Sequence, residues 1–243
     1  MTKTDRLPFQ FEKTIEVFSF QIDPSGKLRW SALADMMQEV AWKHADSRDF
    51  GQKLFELGLM WVLSRFEIKV HQMPSWGDKI IIKTAGRGIH KLFALREFLV
   101  EDVHGNILAE AMSAWLLLDI KSKRPLRPAQ ALPSELFNPN PDETLNPEKI
   151  VVGELNETGT FIRVRYSDLD MNNHVNNVSY IRWVEDFCFE KELPFSDLLI
   201  NYVSEATLGE EIELMFNRSN ENTYIVGICK GRQVFSVKLL NKD

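Results

Sequence analysis

Cysteine is scarce: Cys188 and Cys229 are the only two in 243 residues. Neither has metal-ligand spacing or a neighbouring histidine, so no disulfide framework and no metal cluster is expected, only buried reduced thiols. Long apolar runs are missing too, since no stretch approaches the ~20 apolar residues of a membrane-spanning helix. The opening segment, Met1 to Pro8, lacks the apolar core of a secretory signal. A cytosolic protein without a membrane span is the expectation. Positive charge is in the minority, with 29 Lys and Arg against 35 Asp and Glu and a net charge of -6, which argues against a nucleic-acid partner.

What is present is ordinary for a globular chain: 44% hydrophobic and 26% charged residues, enough for one large core or two smaller ones. The charge is unevenly spread. Between Arg65 and Arg96 stand Arg65, Lys69, Lys79, Lys83, Arg87, Lys91 and Arg96 against only Glu67 and Asp78. This pattern fits two readings equally: a docking face for an acidic macromolecule, carried by Lys79, Lys83 and Arg87, or the solvated side of ordinary strands.

Periodicity sets the expected architecture. Thr14 to Asp23 alternates as a strand, and Pro24-Ser-Gly turns the chain. Trp30, Leu33, Ala34, Met37, Val40, Ala41 and Ala45 then recur at helical spacing. From Trp61 the period becomes two, with Val62, Ser64, Phe66, Ile68 and Val70 on the face expected to be buried. Strands over Lys79 to Thr84, Lys91 to Glu101 and Leu108 to Ile120, separated by Gly86-Arg-Gly and His104-Gly-Asn, complete an antiparallel meander around the helix. This is the hotdog arrangement.

A proline-rich segment from Pro125 to about Glu148 reads as a linker. After it the order of strand, helix and four strands returns: Thr160 to Tyr166, Val178 to Glu190, then Asn201 to Ala206, Glu211 to Asn217, Thr223 to Lys230 and Val234 to Leu240. The expected fold is therefore α+β, a double hotdog, with units at 1–124 and 149–243 whose sheets join edge to edge. A homodimer and a monomer are equally compatible with it.

Chemistry concentrates in one place. Asp168 to Asn177 holds two carboxylates, one imidazole and four carboxamides between a strand and a helix start. Asp170, Asn172 and His174 alternate, so their side chains can converge on one side. Asn176 or Asn177 is the expected N-cap, and the unpaired N–H groups that follow can hold an oxyanion. The first-half counterpart, Asp23-Pro-Ser-Gly-Lys, has neither histidine nor paired amides. The second unit is therefore the expected seat of catalysis.

The stretch Asp168-Leu-Asp-Met-Asn-Asn-His-Val-Asn-Asn-Val-Ser-Tyr-Ile-Arg-Trp resembles the signature of the acyl-ACP thioesterases. Leu59 to Val70, Pro74-Ser-Trp-Gly-Asp and Ala109 to Asp119 resemble the N-terminal half of the same family. The resemblance implies a double hotdog that hydrolyses fatty acyl-[acyl carrier protein] in fatty acid biosynthesis without a cofactor, its partner being the carrier that bears the acyl phosphopantetheine. It also implies that Asp170, Asn172, His174 and Glu205 are catalytic, and that the first unit lines the acyl pocket, with Met37, Met60, Trp61, Phe66 and Trp115 as candidates. Many plant members have a Cys directly after that glutamate; here the position is Ala206, which favours a carboxylate-centred mechanism. An acyl-CoA thioesterase of the same fold and a non-catalytic acyl-binding or sensor protein are the alternatives.

Overall fold

The computed structural model describes residues 8–49, 51–132, 142–153, 155 and 157–242. The first unit comprises β1 (Phe11–Glu16), α1 (Trp30–Asp46), α2 (Gln52–Glu56), β2 (Leu59–Val70), β3 (Lys79–His90), β4 (Phe93–Asp102) and β5 (Ile107–Asp119). A short β6 (Pro125–Leu126) folds back onto β5, and α3 (Pro128–Ala131) follows. The proline-rich linker expected here lies partly outside the described residues. The second unit comprises β7 (Glu157–Arg163), α4 (Asn177–Glu190), β8 (Phe195–Tyr202), β9 (Glu211–Arg218), β10 (Asn222–Cys229) and β11 (Arg232–Asn241).

All strands join one antiparallel sheet in the order β1-β3-β4-β5-β2-β8-β11-β10-β9-β7, with β6 beside β5. The two halves mirror each other across the β2–β8 pair, which runs from Arg65↔Asn201 to Lys69↔Asp197. The edge-to-edge junction is thus β2 on β8. The meander is shorter than expected: β2 does not neighbour β3 but crosses over to pair with β5. That crossover frees the other edge of β2 for the second unit.

Three local departures from strict alternation have physical causes. The first strand ends at Glu16, because Phe18 N–H donates to Gln21 Oε1 at 2.9 Å and closes a 3-10 turn. In β2 the register slips between Leu63 and Arg65, so the buried side switches from Leu63 to Phe66 and Ile68. Gly86-Arg87-Gly88 is not a turn; it is a bulge inside β3, and the reversal comes at Lys91, which adopts a positive φ of 58°.

The basic stretch between Arg65 and Arg96 is dispersed by this fold. Lys69 pairs with Glu67 and Lys83 with Glu101. Arg87, which the sequence suggested for docking, is 3% exposed, pairs with Glu97 and lies under the Phe9 ring. It is not a docking residue, because the bulge presents it to a covered side. Lys79 is exposed but stands beside the turn that faces the Asp23 loop, away from the Asp170 loop.

The helices α1 and α4 pack on each other inside the sheet. Around α4 the core is filled by rings, with Phe187 5.2 Å from Phe216 and Tyr180 5.2 Å from Phe235. Around the end of α1 the facing residues are small: Ala41 and Ala45 on the helix, Gly86, Gly88 and Ala94 on the sheet. Space therefore opens there in the first unit, while in the second a more polar cleft of about 480 Å³ lies between β7 and α4.

Candidate active site

Two carboxylates build the segment from β7 to α4: buried Asp168 accepts the Arg165 N–H at 2.8 Å and pairs with Arg182 at 3.0 Å, and Asp170 shapes the turn that follows. Asp170 Oδ1 accepts the N–H of Asn172 at 2.8 Å and of His174 at 3.2 Å, while Asp170 N–H donates to the His174 carbonyl at 2.8 Å. Asn173 completes the turn at a φ of 61°, a left-handed conformation that asparagine tolerates. The Asp23 loop repeats this scheme: Asp23 Oδ1 accepts the N–H of Ser25 at 2.8 Å and of Lys27 at 3.1 Å, and Gly26 takes the positive φ. The two loops share a backbone and differ in what they display.

Only the second places an imidazole beside a carboxylate. His174 bridges to Thr207, and its Nε2 lies 3.2 Å from Glu205 Oε2. Lys123 Nζ meets the same oxygen at 2.8 Å. Glu205 was expected inside a strand; it sits instead in the loop just beyond β8, with its side chain 45% exposed. Arg232 clamps that loop, donating to Ser204 Oγ at 2.8 Å, the Glu205 carbonyl at 2.6 Å and Glu210 Oε2 at 2.9 Å. Asn172 is exposed, and its Nδ2 is 3.5 Å from Asp170 Oδ2, a distant contact.

The two helix starts show the same asymmetry. At α1, the Glu185 carboxylate accepts the Trp30 N–H at 2.8 Å, the Ser31 N–H at 3.3 Å and Ser31 Oγ at 2.9 Å. Burial raises the Glu185 pKa against the lowering by these donors. At α4, the Asn176 side chain caps the Val178 N–H at 3.0 Å and its carbonyl accepts from Ser179 at 2.9 Å. Gln38, which stands on α1 where Glu185 stands on α4, takes the Asn177 side chain at 3.2 Å. A protein carboxylate thus occupies the first-turn donors of α1, and none does so at α4 among the described residues.

A cavity of about 720 Å³ opens between α1 and the sheet of the first unit, and its wall includes Asp170, Met171 and Asn176 of the second. Met60, Trp61 and Trp115 line it. Met37 and Phe66 do not: they are 0% and 1% exposed and belong to the core behind it. Deeper in, Arg96 Nη1 contacts His44 Nδ1 at 3.0 Å and Thr84 Oγ1 at 3.2 Å.

The sequence matches the acyl-ACP thioesterase N-terminal domain over residues 8–136 and the acyl-ACP thioesterase C-terminal domain over residues 154–232. The chain belongs to the acyl-ACP thioesterase family. An acyl-ACP thioesterase from Bacteroides thetaiotaomicron superposes with a TM-score of 0.83 at 25% identity, covering 95% of this chain and 97% of that one. The 12:0-ACP thioesterase from Umbellularia californica superposes at 0.78 with 23% identity over 96% of each chain. Oleoyl-acyl carrier protein thioesterase 1 of Arabidopsis thaliana is 27% identical over 193 residues, covering 72% of this chain and 53% of that protein. The chain spans about half the length of the curated relatives it matches.

Within this thioesterase-family chain, Ala206 is fully buried and its carbonyl accepts the Val175 N–H at 2.9 Å. Burial, reinforced by Glu185, pushes the Cys188 thiol up to about 12, and burial raises Cys229 as well. Neither is a thiolate at neutral pH.

Lys123 was not apparent from the sequence, because it lies in the turn after β5, far along the chain from Glu205. Pairing of β2 with both β5 and β8 brings those two strand ends together. The ion pair is open to water, with side chains 62% and 45% exposed. Such a pair contributes about 0.2–1 kcal/mol, so Lys123→Met should lower kcat by less than about tenfold. A loss as large as that of a His174 variant would place the amine in the chemistry itself.

His44 carries an acid sensitivity. Burial first, then the charges of Arg96 and Arg48, push its imidazole down to about 4, against about 6.5 when unfolded. The unfolded chain therefore binds this proton more readily, and the stability it affects is complete above pH 6.5 and declines as the pH falls towards 4. The urea midpoint should drop less between pH 7 and pH 5 in His44→Gln than in the native chain. Equal drops would show that another group sets the acid limit.

Proposed function

We propose that this protein hydrolyses the thioester of a fatty acyl group carried on acyl carrier protein, releasing free fatty acid and the carrier thiol and so ending chain elongation. The observation that carries the reading is the cavity of the first unit, whose wall is completed by Asp170, Met171 and Asn176 from the loop that also bears His174. An acyl tail held by the first unit would present its thioester to the second.

In this mechanism Glu205 accepts the Nε2–H of His174, which leaves Nδ1 to take a proton from water as that water attacks the carbonyl carbon. The oxyanion is met at the start of α4, where Asn176 already occupies the Val178 and Ser179 N–H groups, so the Asn177 N–H is the donor left to it. When the C–S bond breaks, the imidazolium returns the proton to the thiolate. Asp170 fixes the loop through one oxygen and places its charge at the cavity wall, where it orients water. Asn172 extends from the same turn and holds substrate or water.

The test is release of free fatty acid from acyl-ACPs of graded chain length, run beside the same acyl-CoAs. Faster turnover of acyl-ACP is the expected result. Preference for acyl-CoA would reassign the carrier, and a folded protein that turned over neither would contradict hydrolysis.

A further inference from the structure

Arg96 is an unusual resident of a cavity for a hydrocarbon tail. It projects from β4 between Gly86 of β3 and Ser113 of β5, at a point where the glycine leaves no covering side chain. Its Nη1 donates to His44 Nδ1 at 3.0 Å and to Thr84 Oγ1 at 3.2 Å, both neutral acceptors. Among the described residues no carboxylate lies within ion-pair distance of it, whereas the neighbouring Arg87 is matched with Glu97. Loss of solvation lowers the Arg96 pKa to about 10, so it is still charged at neutral pH. A charge taken out of water without a counter-charge is unfavourable. Nothing in the proposed hydrolysis uses it.

The surroundings are polar in an ordered way. Since Nδ1 of His44 accepts from Arg96, the imidazole carries its proton on Nε2. The ring is stacked on Phe11 with centroids 5.7 Å apart. Ser113 Oγ accepts from Trp115 Nε1 at 2.8 Å, and Thr84 Oγ1 donates to the Glu97 carbonyl at 2.9 Å. Of this group, His44, Arg96 and Trp115 line the cavity. Gln38, which holds the Asn177 side chain at the catalytic end, stands six residues before His44 on α1, a distance of about 9 Å along a helix. A chain running from Asp170 along the helix would pass or reach Arg96 with its distal carbons.

We infer that the cavity is built for an acyl chain that carries an oxygen on its distal part, a hydroxyl, oxo or carboxylate group, which Arg96 recognises. The placement of that oxygen rests on the proposed function, because the thioester must lie at Asp170. A purely aliphatic tail would be forced against an unmatched guanidinium, whereas an oxygen acceptor would satisfy it. Arg96 is thereby a specificity-determining residue, and His44 holds its guanidinium in position.

The test avoids hydrolysis. Pantetheine amides of octanoic, decanoic and dodecanoic acids, and of the same acids bearing a terminal hydroxyl, are titrated calorimetrically into the native protein and into Arg96→Met. The hydroxylated chain should bind about tenfold more tightly than its parent for at least one length, in line with a hydrogen bond to a charged group. That preference should vanish in Arg96→Met. Tighter binding of the parent at every length, or a preference that survives the substitution, would overturn the inference. If Arg96→Met does not fold, the native comparison decides alone. A preference for the hydroxylated chain in a protein that hydrolyses no acyl-ACP would reject the proposed reaction and leave this inference standing.

Discussion

His174→Ala should lower kcat on acyl-ACP by about 10²–10⁴-fold, the range for loss of a positioned proton-transfer group. The backbone of His174 holds the loop, through its N–H to Asp170 Oδ1 and its bridge to Thr207, and alanine keeps both. The imidazole itself is only 26% exposed, so its removal takes some packing away. A modest fall in thermal stability should therefore accompany a far larger collapse of turnover. Glu205→Gln should have a smaller effect in the same direction, since it orients the ring and does not carry the proton. Near-native turnover in His174→Ala would remove the imidazole from the mechanism.

Asp170→Asn should lower turnover by about 10²-fold or more, through loss of a fixed charge at the cavity wall. The carboxamide oxygen can still accept from Asn172 and His174, so the loop survives, and the substitution isolates charge from architecture. Asp170→Ala should lower the melting temperature as well, because both N–H groups lose their acceptor. The molecule contains its own control. Asp23→Asn alters the counterpart loop in the same way and should leave turnover unchanged. Equal losses from Asp23→Asn and Asp170→Asn would mean that both act through folding alone.

Much of this was legible in the sequence because local chemistry dictated it. The helical spacing from Trp30 to Ala45 and from Val178 to Glu190 corresponds to α1 and α4 within a residue or two. The tandem repeat is visible because each unit needs the same strands around its helix. The Asp170 turn follows from Asp and Asn chemistry that requires no long-range contact. What stayed hidden depends on pairing. Phe66 was a candidate for the acyl pocket and Arg87 for a docking face, yet Phe66 belongs to the core behind the cavity and the bulge in β3 buries Arg87. Lys123 meets Glu205 only because β2 pairs on both edges. Arg96 looked like one cation in a basic run until the sheet turned it towards His44. The cavity itself depends on small residues from one helix and two strands, which no local pattern brings together.

The division of labour between the units is the central claim, and a structure of the protein with a non-hydrolysable acyl-pantetheine amide tests it most directly. The amide carbonyl should lie between His174 and the start of α4, with the chain running past Met60 and Trp115 in the first unit. A chain lodged in the second unit, or a carbonyl beside the Asp23 loop, would contradict the account.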